Sequence, residues 1–319
     1  MSGRHVLVLG GGPDAEREVS LESSRCVAEA LATLPGYKVH REVIDAIDLA
    51  RLRALPGDVI FPVLHGPFGE GGPLQDLMEQ DGRPYVGCGP FAARAAMDKI
   101  GAKLAAMGVG VPTTPARVFN PRDRACPLPL PVVLKPIHEG SSVGVHICTT
   151  LAQWTNAVDA AIADMRAHPH RSYMVEGAVL GGAELTVGIL DGKALAPIRI
   201  RPKSEFYDYQ AKYHSDETKY DVDPELPAGL KERLQKYALD LSRAIGVRHL
   251  ARVDFLLSKA GAAGQAGEPW LLEVNTMPGF TGHSLLPMAA GHAGMTFAGL
   301  AQRLVECAVR DGSSPTVQG

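Results

Sequence analysis

The sequence has no block of like charge, no long apolar run and few cysteines, and each absence excludes a class of function. Lys and Arg number 32 against 35 Asp and Glu, for a net charge of -3, so nucleic acid or an anionic membrane is not the expected partner. No segment is apolar over the length that a bilayer requires. The opening MSGRHVLVLGGG has a short apolar run, without the longer core and small-residue cleavage site of a signal peptide. A cytoplasmic protein is therefore expected. Cys26, Cys88, Cys126, Cys148 and Cys307 are odd in number and nowhere spaced as a metal knuckle or redox pair; they read as ordinary small side chains.

What is present is enough apolar residue, 45% of 319, to fill more than one core. HVLVLGGG reads as a strand breaking into glycines, followed by a helix in EREVSLESSRCVAEALATL. YKVHREVID, DVIFPVLHG and RPYVGCG supply further strands, a βαβ alternation that predicts a parallel sheet ending near Gly89. FAARAAMDKIGAKLAAMGVGVP reads as one Ala-rich helix, and the proline-rich NPRDRACPLPLP as a loop. A second lobe follows with strands PVVLKP, VGVHIC and SYMVEGAV and a helix near 151 to 166. AELTVGILDGKALAPIRI reads as a hairpin, 201 to 226 as a long polar loop, and 228 to 245 as a helix. HLARVDFLLS and PWLLEVNT are the last strands, and the tail after Arg310 is expected to be unstructured.

Three stretches carry chemistry. Gly10-x-Gly12-x-x-Ala15 fits a loose dinucleotide fingerprint with Asp45 as ribose acid, but Glu16 and Glu18 stand where a pyrophosphate needs bare amides. Carboxylates there suit a cationic ligand group, or simply complement the helix dipole. In VVLKPIHEGSSVGV a strand delivers Lys135 to a turn holding Ser141 and Ser142, a phosphate clamp without the Walker ending or the following helix; an exposed hairpin is the alternative. Arg252 and Asp254 lie two apart on one strand, Glu273 and Asn275 two apart on another, so each pair shares a face while Leu272 and Val274 point away. If the strands are neighbours, hard oxygen ligands converge as Mg²⁺ requires when it also holds phosphates; a salt bridge from Arg252 explains only part of the set.

Taken in order, GGPDAEREVSL, LHGPFGEGGPLQ, MDK, LKPIHEGSSVGV, FYDYQAKYHSDET, ARVDF and LLEVNTMPGFTGHSLLP make the chain resemble the D-alanine-D-alanine ligases of the ATP-grasp superfamily over nearly its full length. The resemblance implies an α/β chain, α+β in its ATP-grasp lobes: a Rossmann-like parallel-sheet domain over 1–89, a central ATP-grasp lobe over 90–183, and a C-terminal lobe over 184–319 with a lid at 201–226. It implies ATP as cosubstrate, two Mg²⁺ ions with Mn²⁺ able to substitute, D-alanine as substrate, and a homodimer. By the same resemblance Glu16 receives the first D-alanine's ammonium, with Ser141 and Tyr213 bonded to it. Lys99, Lys135 and Lys212 hold phosphates beside Ser142, Glu176 to Val179 form the adenine hinge, and Glu184 meets the ribose. Asp254, Glu273 and Asn275 hold the metal, Glu273 bridging both ions, while Arg252 and the Gly279 amide stabilise an oxyanion and Ser284 meets the second D-alanine's carboxylate. His65 orients Glu16 or the second substrate. The tyrosines at 207, 209, 213 and 220 suit a lid that closes dry over a labile intermediate, and Tyr213 resembles the dipeptide-forming relatives more than the ester-forming ones. Two positions depart from the family: Gly71 stands where many relatives have Asp, and Ala178 where a large apolar residue is common.

The residues alone leave other functions open: a ligase joining other acids and amines or making the D-alanyl ester, a nicotinamide-dependent oxidoreductase, or a non-catalytic nucleotide-binding regulator.

Overall fold

The computed structural model describes residues 4–201, 218–259 and 267–312. The apolar run Val6 to Leu9 is completely buried in β1 (Arg4–Gly11), which is flanked in parallel by β2 (Tyr37–Ile44) and β3 (Val59–Pro62). The crossover from β1 to β2 is α1 (Arg17–Ala32), which turns Val19, Val27 and Leu31 onto the sheet. The short helix α2 (Leu49–Ala54) leads into β3, and α3 (Gly66–Glu70) and α4 (Pro73–Asp81) follow it. RPYVGCG does not form a fourth strand; Tyr85 makes a single parallel bridge to Ile60.

The Ala-rich stretch expected as one helix is two, α5 (Pro90–Met97) and α6 (Lys99–Gly108). Asp98 breaks it. Its backbone is extended, and its carboxylate accepts from the amides of Ile100 and Gly101, so it ends one helix and caps the next. That break puts Lys99 at the first position of α6 and turns it inward, 9% exposed.

Two antiparallel sheets follow. The four-stranded one has the order β4 (Ala116–Val118), β7 (Tyr173–Gly177), β5 (Val132–Pro136), β6 (His146–Cys148), backed by α7 (Leu151–Ala167) through Trp154, Val158 and Ala161. The five-stranded one runs β10 (Lys219–Val222), β9 (Lys193–Arg201), β8 (Ala183–Leu190), β11 (Leu250–Leu257), β12 (Pro269–Asn275). Asp191 and Gly192 join β8 to β9 with positive φ at both positions, the two-residue turn whose twist suits a hairpin. The span 201–226 is not all loop, because Lys219 to Val222 pair with β9. Behind this sheet α8 (Leu230–Ile245) buries Leu234, Ala238 and Leu241.

The final helices, α9 (Leu285–His292) and α10 (Phe297–Gly312), carry the chain back to its beginning. Leu300, Leu304 and Val305 join Val6, Val8 and Phe61 in one core, so the parallel sheet is closed by residues nearly 300 positions away. Arg310 is not the end of the ordered chain, since α10 runs to Gly312 and Asp311 bonds His249 at 3.0 Å; the rest of the expected tail lies outside the described residues.

Candidate active site

Between the two antiparallel sheets lies a cavity of about 510 Å³. Lys99, Lys135, Ser142, Val179, Glu184 and Glu273 all line it, although they come from both sheets and from α6. The lining combines apolar side chains, among them Leu256, Trp270 and Leu272, with charged ones such as Lys135, Glu184 and Arg199. Lys212 and Tyr213, expected at this site, lie outside the described residues.

Glu176, expected in the adenine hinge, lines the cavity. Its side chain is buried in an ion cluster, 2.8 Å from Lys103 Nζ and 2.5 Å from Lys135 Nζ. Burial pushes this carboxyl up, but the two ammonium charges outweigh it and hold it at about 2. Burial also lowers Lys103, which Thr113 Oγ1 and Thr114 Oγ1 solvate at 2.7 and 3.0 Å. The amides of Gly177 and Ala178 are spent on the carbonyls of Pro115 and Pro131. Sequence reasoning missed Lys103; its place one helical turn after Lys99 was the available sign.

The acidic wall depends on a backbone irregularity. Asp254 pairs with Glu273, but Phe255 pairs with Leu271, so Leu272 is an extra residue in β12. The expectation that Leu272 faces away with Val274 therefore fails: Val274 and Leu271 are in the core, whereas Leu272 lines the cleft with Trp270 and Glu273. Asp254 is 2% exposed. It accepts from Arg252 Nε at 2.9 Å, Thr186 Oγ1 at 2.5 Å and Asn275 Nδ2 at 3.0 Å. Lys99 Nζ approaches Glu273 at 3.7 Å and donates to the Glu139 carbonyl at 2.6 Å. Among the described residues no three His, Cys, Asp or Glu side chains form a metal cluster. The donor set is two carboxylates and one amide oxygen on adjacent strands, which fits Mg²⁺ only when phosphate oxygens complete the shell, the usual way this ion is held.

A second, smaller cavity of about 40 Å³ adjoins the first and shares Lys99, Glu139, Gly140 and Glu273 with it. Glu16, Ser141, Arg252, Asn275 and Gly279 line it. Glu16 occupies the N-cap of α1, and Ser141 Oγ donates to its carboxylate. Ser141 and Ser142 both have positive φ, 51° and 59°, a conformation that non-glycine residues hold only under constraint and that is concentrated at functional sites. Ser284 is not in either lining; it heads α9 without a side-chain cap bond, and its Oγ accepts from the Thr281 amide at 3.0 Å. Asp45 is paired with Arg17 at 2.8 Å, which accounts for it without a ribose.

Two residues of HGPFGE complete the small cavity, and one was not anticipated. His65 Nδ1 lies 2.9 Å from the Met277 carbonyl and so carries the proton, which leaves Nε2 as a lone pair, buried without a hydrogen-bond partner. Burial lowers its basicity. Glu70 accepts from the Met277 amide at 3.0 Å, and burial together with the negative charge of Glu16 pushes its carboxyl up to about 8. No pattern in the sequence marks Glu70 as buried, because the helix that hides it is only five residues long. At Gly71 a Cβ would stand 2.3 Å from the Pro67 carbonyl oxygen, which accounts for glycine there.

Comparisons with known proteins bear on this geometry. A family model described as "D-ala D-ala ligase C-terminus" matches residues 120–306. A D-alanine--D-alanine ligase of Methylacidiphilum infernorum is 38% identical over 306 residues, covering 95% of each chain. One of Geotalea uraniireducens is 40% identical over 310 residues, covering 96% of each. Among solved structures, a D-alanine--D-alanine ligase of Bacillus anthracis complexed with ATP superposes with a TM-score of 0.78 at 30% identity, covering 98% of this chain and 99% of that one.

Proposed function

Since the chain belongs to the D-alanine-D-alanine ligase family of ATP-grasp enzymes, we propose that it joins two D-alanine molecules into D-alanyl-D-alanine for peptidoglycan synthesis, with ATP converted to ADP and phosphate. The observation that carries the reading is the shared wall of the two cavities: Lys99 and Glu273 belong at once to the nucleotide cleft and to the pocket holding Glu16. A carboxylate held by Glu16 would meet the terminal phosphate of ATP there.

In this reading the domains 1–89, 90–183 and 184–319 supply the pocket floor, the nucleotide roof and the acidic wall. Glu16, oriented by Ser141, binds the ammonium of the first D-alanine. Lys99 and Lys135 meet phosphate oxygens, Val179 the base and Glu184 the ribose. The first carboxylate attacks the terminal phosphorus, ADP leaves, and an acyl phosphate forms. The amine of the second D-alanine then attacks the acyl carbon. Arg252 and the Gly279 amide stabilise the oxyanion, an electrostatic contribution of about 3 kcal/mol per well-placed donor in other acyl-transfer sites. Collapse of that intermediate expels phosphate and leaves the peptide bond. Asp254, Glu273 and Asn275 would hold divalent cations, which when bound neutralise phosphate charge. Ser284 is the proposed ligand for the second carboxylate.

A cytoplasmic location and a homodimer belong to the same reading. No helix among the described residues is long and apolar enough to cross a membrane, and Phe91, Leu104 and Met107 are exposed apolar side chains on α5 and α6 that a second copy would cover. The test is ADP release from Mg-ATP with D-alanine, with L-alanine, and with D-alanine plus D-lactate, the products being identified by mass. Release with D-alanine together with dipeptide is expected. A product from another acid or amine, or no release at all, overturns the substrate or the activity.

A further inference from the structure

The segment 276–280 follows β12 and carries Gly279, yet most of its polar bonds reach residues of the parallel-sheet part of the chain. The Met277 peptide is held at both ends, its N–H by Glu70 Oε2 at 3.0 Å and its carbonyl by His65 Nδ1 at 2.9 Å. Thr276 Oγ1 donates to the Glu70 carbonyl at 3.5 Å. On the far side of Gly279, the Phe280 amide donates to Ser23 Oγ on α1 at 3.1 Å. All three holding residues are buried, Ser23 completely. The side chains repeat the pattern: Phe280 packs edge-on against Phe61 of β3 at 5.7 Å and against Phe297 of α10 at 6.1 Å, and Met277 is 3% exposed in the same core. Pro278 and Gly279, between the two anchors, are left to line the small cavity.

We propose that Ser23, His65 and Glu70 are positioning residues for the ligation step: they fix the two ends of the 276–280 segment, so that the Gly279 amide stands at hydrogen-bonding distance from the acyl oxygen on which negative charge develops. The proposal rests on the reading of Gly279 as an oxyanion donor. None of the three residues needs to touch a substrate for this role. A hydrogen bond to a developing charge weakens steeply with misplacement, so a loosened segment slows the attack of the second amine and leaves phosphoryl transfer alone. The bonds at Met277 and Phe280 act from opposite sides, and losing either frees one end of the segment.

Ser23→Ala, Glu70→Ala and Glu70→Gln, each as the full chain, are compared with the wild type in two assays. One is steady-state dipeptide formation. The other is scrambling of an isotopically labelled β,γ-bridging oxygen of ATP in the presence of D-alanine, which follows reversible acyl phosphate formation. Ser23→Ala and Glu70→Ala are expected to lower kcat by roughly tenfold, with KM for ATP within about twofold and more scrambling per turnover. Glu70→Gln, which keeps an acceptor for the Met277 amide, is expected to retain most of the activity. A loss of scrambling in proportion to turnover, or an unchanged kcat in both alanine variants, overturns the proposal. Failure of the wild type to form dipeptide would instead refute the functional reading, so the two failures are distinguishable.

Discussion

Replacing Glu176 by Gln removes the one carboxylate that lies between Lys103 and Lys135. The two ammonium groups, 2.8 and 2.5 Å from it, are both about 5% exposed. Breaking a buried pair by removing one partner typically costs ~3–5 kcal/mol, because a charge is left without compensation. Lys103 keeps its bonds to Thr113 and Thr114, which favours the lower end of that range. At ~2 °C of melting temperature per kcal/mol for chains of this class, the expected loss is about 6 °C. Polyphosphate would supply Lys135 with a new anionic partner, so Mg-ATP should raise the melting temperature of Glu176→Gln by more degrees than that of the wild type. The pH dependence has a fixed sign. The folded carboxyl lies at about 2, below its ordinary 4.5, so its stabilisation is complete above pH 4.5 and is lost as pH falls towards 2. The gap between wild type and variant should therefore narrow on acidification. Thermal melts with and without Mg-ATP at several pH values measure all of this. A variant melting within a degree of wild type at neutral pH, or gaining no more from nucleotide, would refute the account of the cluster.

Glu70 has the opposite sign: a folded carboxyl raised from 4.5 to about 8 makes the protein lose stability as pH rises through that window. Glu70→Gln should flatten the decline in melting temperature between pH 4.5 and 8, and parallel profiles would show that Glu70 is not held protonated. Gly71→Asp should cost ~1–3 kcal/mol through the clash with the Pro67 carbonyl, measured by urea unfolding. Glu273→Gln should abolish dipeptide formation and leave the melting temperature within about 2 °C, because the Glu273 side chain, 17% exposed at the cleft wall, contributes charge more than packing; full activity would remove Glu273 from the site.

The parts of the fold most legible in the sequence are those with strong local punctuation. The run before Gly10 to Gly12, the Asp191-Gly192 turn and the apolar period of 230–245 each specify their element with little outside help. Where expectation and structure differ, a tertiary contact decides. The helix through Asp98 is continuous by composition, but a carboxylate that caps the following turn outweighs helix propensity there. The strand at 84–88 has the right residues but only one bridge, since its backbone leaves β3 to meet His249 through the Gly87 amide. At the site, residues in recognisable patterns could be named, among them Glu16, Ser141 and Asn275. Lys103, Ser23 and Glu70 could not, because their importance lies in which distant backbone or charge they meet, and a linear pattern carries no such distance.

The extra residue at Leu272 has a consequence for what the cleft can accept. A regular strand shows a ligand every second side chain, but β12 brings Trp270, Leu272 and Glu273 to the larger cavity, and Glu273 with Asn275 to the smaller one beside it. The strand thereby changes from oily to charged within a single step, between Leu272 and Glu273. A nucleotide makes the same change along its own length, from a flat base to a string of phosphates. In the proposed reading the irregularity sets where a base ends and the phosphates begin, so deleting Leu272 would remove one apolar side chain from the cleft, restore a regular register with β11 and move that boundary relative to Lys99 and Glu16.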